Sequence, residues 1–233
     1  MSLPGIVVGL RAEARIVDSL IAASLPAGES LLVACSGASA ERATVLAREL
    51  IERGADCLIS FGIAGGLDPI LPPGSVILGD HVMLPEGGKI AADAAWIARA
   101  QSAMAPLGGV TTRRVAGADQ AIVTTQAKAA LYALSGAAAV DMESHAVARI
   151  AAAAGRPFLV LRAIADPAGV ALPRASLVGL GTDGRARPLA VLDALARQPS
   201  QTLAVLRAAR QTRAALASLR RVVLGAGSSL LLR

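Results

Sequence analysis

Short apolar runs alternate along this chain with longer, alanine-rich stretches of helical periodicity. None of the runs reaches the roughly 18 consecutive apolar residues that a membrane span requires. Runs such as GIVVGL (5–10), CLISF (57–61) and FLVLRAI (158–164) have the length and composition of buried strands. Further strands are expected at 31–34, 75–84, 113–117 and 121–124, and helices at 11–21, 40–52, 92–105, 140–154 and 200–223. The glycines of GIAGGL after residue 61 predict a tight, exposed turn. GTDGRARP, ahead of the last helix, predicts a surface loop or flap. The expectation is an α/β fold, a mostly parallel mixed sheet with helices on both faces, in one three-layer domain over residues 1–233. With 54% hydrophobic residues, a chain of this length has material for a large core.

Charge and composition narrow the partners. The net charge of +6 favours anionic ligands or surfaces, but only 2% of residues are aromatic, too few for a base-stacking platform, so nucleic acid is not expected. Cys35 and Cys57 lie without His or Cys at ligand spacing and read as reduced core residues, and nothing in the chain calls for a metal or another cofactor. The opening MSLPGIVVGLRAEARIV has no basic segment before its apolar run, and Glu13 and Arg15 stand where a signal peptide would be cut. A cytoplasmic protein is expected.

In open α/β sheets the ligand crevice lies outside the carboxyl ends of the strands. Arg11 and Glu13, then Ser36 to Ser39, then Gly62 to Gly66, and finally Asp166 all follow expected strands, so polar and glycine-rich positions gather where a site should be. In AAVDMESHAV (138–147), a helix from residue 140 puts Glu143 on the stripe of Val147, Ile150 and Ala154, facing inward. Asp141 and His145, four apart on another face, predict a local cap or helix pair. In FLVLRAIADPAG, strand alternation sets Arg162 and Asp166 on one side, with Arg162 a partner for Glu143. A buried ion pair with a turn-starting Asp and a catalytic pair are both compatible with that pattern.

FGIAGGL, AVDMES and LRAIAD, in that order and at these separations, resemble the nucleoside phosphorylase and nucleosidase family, above all its methylthioadenosine/adenosylhomocysteine nucleosidase branch. The resemblance runs from Gly5 to about Val222. The apolar composition and the aromatic-poor middle are most similar to hopanoid-associated phosphorylase-like members, which implies adenosylhopane, a lipid nucleoside, as substrate. By this resemblance Met142 and Glu143 hold the ribose, Asp166 protonates N7 of the departing adenine, and Glu13 orients the attacking water. The same resemblance implies a homodimer. Breaking an N-ribosidic bond leaves an oxocarbenium-like sugar and an electron-rich purine, so a proton donor contributes about 10²–10⁴-fold.

This chain departs from the family pattern in four places. Ile63 stands where the nucleosidases have Ser, and Ser60 where bacterial purine phosphorylases have a phosphate-binding Arg. The purine-stacking aromatic is replaced near Ala121, leaving Ile63, Ala64, Gly65 and Ala121 as the expected base-side wall, and Ala165 replaces the Ser before Asp166. For phosphate, Arg11 or the backbone of Ser36, Gly37, Ala38 and Ser39 is a candidate anion site, or that turn is an N-cap alone. On the last helix Val205, Ala209, Thr212, Leu216, Leu219 and Val223 form an apolar stripe flanked by Arg207, Arg210, Arg213, Arg220 and Arg221. That pattern fits a helix on the sheet with a solvated basic face, or an arginine face at an anionic membrane. The expected activity is adenine release from a 5′-substituted adenosine by water or phosphate. The alternatives are a methylthioadenosine/adenosylhomocysteine nucleosidase and a catalytically silent nucleoside- or lipid-binding module.

Overall fold

A computed structural model describes residues 3–24, 31–179, 181 and 183–230. In chain order the elements are β1 (Pro4–Val8), α1 (Arg11–Ser24), β2 (Leu32–Cys35), α2 (Ala40–Glu52), β3 (Cys57–Gly66), β4 (Val76–Met83) and β5 (Lys89–Ala91). There follow α3 (Ala94–Met104), β6 (Val110–Gly117), α4 (Thr125–Ser135), β7 (Ala139–Asp141), α5 (Ser144–Ala153) and β8 (Phe158–Asp166). The chain ends with α6 (Arg174–Leu177), α7 (Pro188–Arg197) and α8 (Thr202–Ala226). The expected α/β architecture is present.

The strands run β2-β1-β3-β7-β6-β4-β5, with β8 paired to both β3 and β4. The pairs β1–β2, β1–β3, β3–β8, β4–β6 and β6–β7 are parallel; β3–β7, β4–β5 and β4–β8 are antiparallel. Thus β3, β8, β4, β6 and β7 close on themselves, and one end of that barrel faces the turns after β1, β7 and β8. The first crossover moves outward from β1 to β2 and the second returns past β1 to β3, which sets α1 and α2 on opposite faces. Helix α1 packs with α8, and α8 with α3, while α2 packs with α5. β1 and β8 are buried along their whole length. The core is built from their Ile6, Val7, Val8, Leu159 and Leu161 together with β3 and β4.

Several boundaries differ from the sequence expectation for identifiable reasons. β3 runs on through the glycines, which keep their ladder with β8 as far as Gly65, paired with Asp166; it is neither a turn nor exposed. Residues 121–124 form no strand; Thr124 is the N-cap of α4, its hydroxyl accepting from the Ala127 N–H. Val140 and Asp141 belong to β7, so α5 starts at Ser144 instead of near 140. The apolar stripe of α8 is buried only in its second half, at Leu219 and Val223, whereas Val205 is half-buried and Ala209 exposed. GTDGRARP leads into α7 and not directly into the last helix; within it Gly184 is buried against Gly9 and Cys35, and Thr182 lies outside the described residues. Cys35 and Cys57 are both free. No helix among the described residues is long and apolar enough to cross a membrane.

Candidate active site

The turn from β1 into α1 is fastened by Glu13, the third residue of the helix. One carboxylate oxygen, Oε2, accepts from the N–H groups of Gly9 (2.9 Å) and Leu10 (2.8 Å), closing back onto the helix start as a capping glutamate does. The other, Oε1, accepts from the Ile63 N–H at 2.8 Å and so ties α1 to β3. Burial raises the pKa of Glu13 above the ordinary carboxylate range, against the opposing pull of Arg162 and these N–H groups. The approach is close enough to dictate the strand sequence. A Cβ at Gly62 would lie 2.5 Å from Glu13 Oε1 and 2.7 Å from an Arg162 guanidinium nitrogen, and one at Gly9 would lie 2.8 Å from Glu143 Oε1.

Arg162 is the hub of the adjoining wall and is fully buried. Its Nε pairs with Asp141 Oδ2 at 2.8 Å and its terminal nitrogen reaches Glu143 Oε2 at 3.4 Å and Ser60 Oγ at 2.5 Å. Asp141 also receives the N–H groups of Glu143 and Ser144 and the Ser144 hydroxyl, capping α5. The expected partnership of Arg162 with Glu143 is therefore present, but the closer partner is Asp141. The expected Asp141–His145 pair is absent: His145 Nε2 instead meets Asp119 Oδ1 at 3.1 Å. Glu143 faces inward, though not as part of a helical stripe; it is the N-cap residue, aimed by the strand-to-helix turn. Burial, opposed by Arg162 and reinforced by Asp141 and Glu13, pushes the Glu143 pKa up to about 7. Three carboxylates share one guanidinium here, so a retained proton is the electrostatic consequence.

Asp166 ends β8 on another side of the same space. Its Oδ2 meets the Lys128 ammonium at 2.5 Å, and Lys128 is 0% exposed. Burial raises the Asp166 pKa, with Lys128 pulling the other way. Sequence reading passed over Lys128. It lies in TQAKAALYALS, an alanine-rich stretch with no strong turn before it, and the only signal was a lone cation on a mostly apolar helix.

These elements enclose a cavity lined by Glu13, Ile63, Ala64, Gly65, Ala121, Met142, Glu143 and Asp166, which brings together most of the positions singled out from sequence. Gln120, Ile122 and Leu172 also line it without having been anticipated, and no aromatic side chain does so among the described residues. The charged residues in the lining, Glu13, Asp141, Glu143 and Asp166, are all acidic. Arg162 lies behind the wall. Of the candidate anion site, Ala38 alone reaches the lining; Ser36 donates its hydroxyl to the Val8 carbonyl, Ser39 caps α2 through the Arg42 N–H, Gly37 turns the chain at φ 69°, and Arg11 is exposed at the start of α1. No cluster of side chains suited to a metal ion occurs among the described residues.

Known proteins share this fold. The 5′-methylthioadenosine/S-adenosylhomocysteine nucleosidase of Shewanella halifaxensis is 29% identical over 162 residues, covering 61% of this chain and 70% of the relative. In structure, the nucleosidase of that name from Neisseria meningitidis, in complex with methylthio-immucillin-A, matches with a TM-score of 0.73 at 19% identity over 97% of this chain and 98% of its own. The corresponding Colwellia psychrerythraea enzyme, in complex with adenine, matches at 0.72 and 18% identity over 98% and 96%. Futalosine hydrolase of Helicobacter pylori gives 0.64 at 21% identity over 71% and 88%. Residues 17–209 match the profile of the Phosphorylase superfamily, and the chain belongs to that family.

Proposed function

We propose that this protein hydrolyses the N-ribosidic bond of a 5′-substituted adenine nucleoside. The observation that carries the reading is the convergence, in one mostly apolar cavity, of a buried acid with a raised pKa (Asp166) and two further buried carboxylates (Glu13 and Glu143). Met142 and Glu143 hold the ribose, the carboxylate accepting from its hydroxyls. As the C1′–N9 bond breaks, its electron pair passes to the purine and Asp166 delivers a proton to N7. A water oriented by Glu13 attacks C1′ and gives up its proton to that carboxylate. The Shewanella relative, named as a nucleosidase of adenine nucleosides, supports this reaction class.

Water is favoured over phosphate because, among the described residues, every charged side chain in the lining is acidic, so a phosphate dianion would meet repulsion there. The 5′ substituent is read as a lipid, as in adenosylhopane, with the enzyme at the inner face of an anionic membrane and working as a homodimer. Support comes from the aliphatic lining and from exposed Leu189, Leu192, Leu203 and Leu206 beside arginines on α7 and α8. The likeness to methylthioadenosine/adenosylhomocysteine nucleosidases favours a second reading with small thionucleosides. Adenine release from adenosylhopane and from methylthioadenosine, each with and without phosphate, separates the two. Fast phosphate-independent release from the lipid nucleoside supports the first reading; fast release from methylthioadenosine alone assigns the second. Adenine binding without turnover of either identifies a silent binding module. Sedimentation velocity tests the dimer.

A further inference from the structure

Lys128 makes more contacts than an ion pair needs. Its Nζ lies 2.5 Å from Asp166 Oδ2, 2.9 Å from the Val170 carbonyl and 3.0 Å from the Pro167 carbonyl. Three short acceptors require three N–H donors; an ammonium supplies them and a neutral amine, with two, does not. Lys128 is therefore a fully buried cation, and its only charged partner among the described residues is the acid that faces the cavity. Its grip is on Oδ2, which leaves Oδ1 as the oxygen for a ligand.

The other charged groups near Asp166 are engaged elsewhere. From β7 and the turn after it, Asp141 and Glu143 pair with Arg162 of β8. Glu13 is held by backbone N–H groups of β3 and of the β1–α1 turn, and Asp68, just past β3, accepts from the Ile70 N–H. Helix α4 brings Lys128.

We infer that Lys128 is the positioning residue of the proton donor: its ammonium fixes Asp166 with one oxygen toward the purine and stabilises the carboxylate that remains once the proton has gone to N7. This rests on the reading of Asp166 as the acid. In an apolar pocket the carboxylate left behind is costly, and an acid with too high a pKa gives up its proton poorly. A cation at contact distance offsets both effects. Asp166 supplies the proton that moves, and solvent restores it after adenine leaves.

The test compares wild type with Lys128→Met and Lys128→Gln, the latter keeping hydrogen-bond donors without the charge. The Asp166 side-chain carboxyl is titrated by ¹³C NMR, and adenine release is followed against pH. Removing an opposite charge at this distance should raise the Asp166 midpoint by about 1–3 pH units in both variants. The alkaline limb of turnover should move up with it while the plateau rate falls. An unmoved midpoint overturns the inference, as does a fall in rate with the limb in place, because a tie between α4 and residues 167–170 would produce only that. Loss of the folded near-UV spectrum in both variants likewise makes Lys128 a structural tie and defeats the inference. Wild type that releases no adenine defeats the reaction reading, while the carboxyl titration still decides the part played by Lys128.

Discussion

The role proposed for Glu143 and its surroundings oppose each other: holding a ribose calls for the carboxylate in its accepting form, and the surroundings favour the proton. With Asp141 and Glu13 close by and water excluded, the pKa of about 7 lies above the ordinary carboxylate value, so the folded state binds this proton more tightly than the unfolded chain. The associated stability is fully present below the unfolded pKa and is lost as pH rises toward 7, with a slope of at most about 1.4 kcal/mol per pH unit. Thermal melts of wild type should therefore lose Tm between about pH 5 and pH 7, and Glu143→Gln should flatten that fall. An unchanged slope in the variant would show that the proton sits elsewhere in the cluster. Asp166→Asn keeps the shape of the side chain but cannot donate an acidic proton, and should lower adenine release by about 10²–10⁴-fold with the fold retained. At this scale the sequence was informative about direction and less so about cause. Glu143 turns inward as its spacing suggested, but a strand-to-helix turn aims it, and the Asp141–His145 pair gave way to the stronger claim of Arg162.

Among the elements, apolar and β-branched runs marked their own positions: residues 40–52 form α2 with the expected ends, and residues 57–61 lie in β3. The continuation of β3 through its glycines was illegible, because glycine signals a turn unless something across the strand needs the room. Here the room is taken by Glu13 and Arg162. Gly62→Ala should therefore force the carboxylate and the guanidinium apart, costing about 1–3 kcal/mol as overpacking does, or about 2–4 °C of Tm per kcal/mol in a chain of this size. Calorimetry of the variant checks this, and a Tm equal to that of wild type would mean that the wall can shift without penalty. Helix α4 escaped notice because its alanine-rich sequence carries little amphipathic contrast, and α7 because its short run follows directly on the Gly- and Pro-rich connection GTDGRARP. With α4 went Lys128.

For the whole molecule, the closure of β3, β8, β4, β6 and β7 into a barrel has no local signature, since it depends on which distant strands pair. What sequence did register at this scale was the excess of positive charge, part of which stands exposed along residues 185–210. Leu189 (79% exposed) and Leu203 (81% exposed) stand on α7 and α8 with Leu192 and Leu206, among exposed Arg185, Arg187, Arg197, Arg207 and Arg210. The acids in this stretch, Asp183 and Asp193, are paired to Arg185 at 3.6 Å and to Arg197 at 2.9 Å. The proposed peripheral attachment would use these leucines for insertion and these arginines for anionic headgroups, each cation contributing about 1 kcal/mol near the surface. This stretch also bears on the cavity, since residues 183–187 meet the β1–α1 turn through the hydrogen bond from the Arg11 N–H to the Gly184 carbonyl (3.0 Å). The protein should co-sediment with vesicles containing phosphatidylglycerol, less well as salt is raised, and poorly with neutral phosphatidylcholine. Arg207→Glu with Arg210→Glu should weaken binding at least about 25-fold if each lost cation contributes that 1 kcal/mol. Leu203→Ser with Leu206→Ser should weaken it at every salt concentration. Equal binding to neutral and anionic vesicles, or none at low salt, would detach the lipid assignment from this face and return the substrate question to the small thionucleosides.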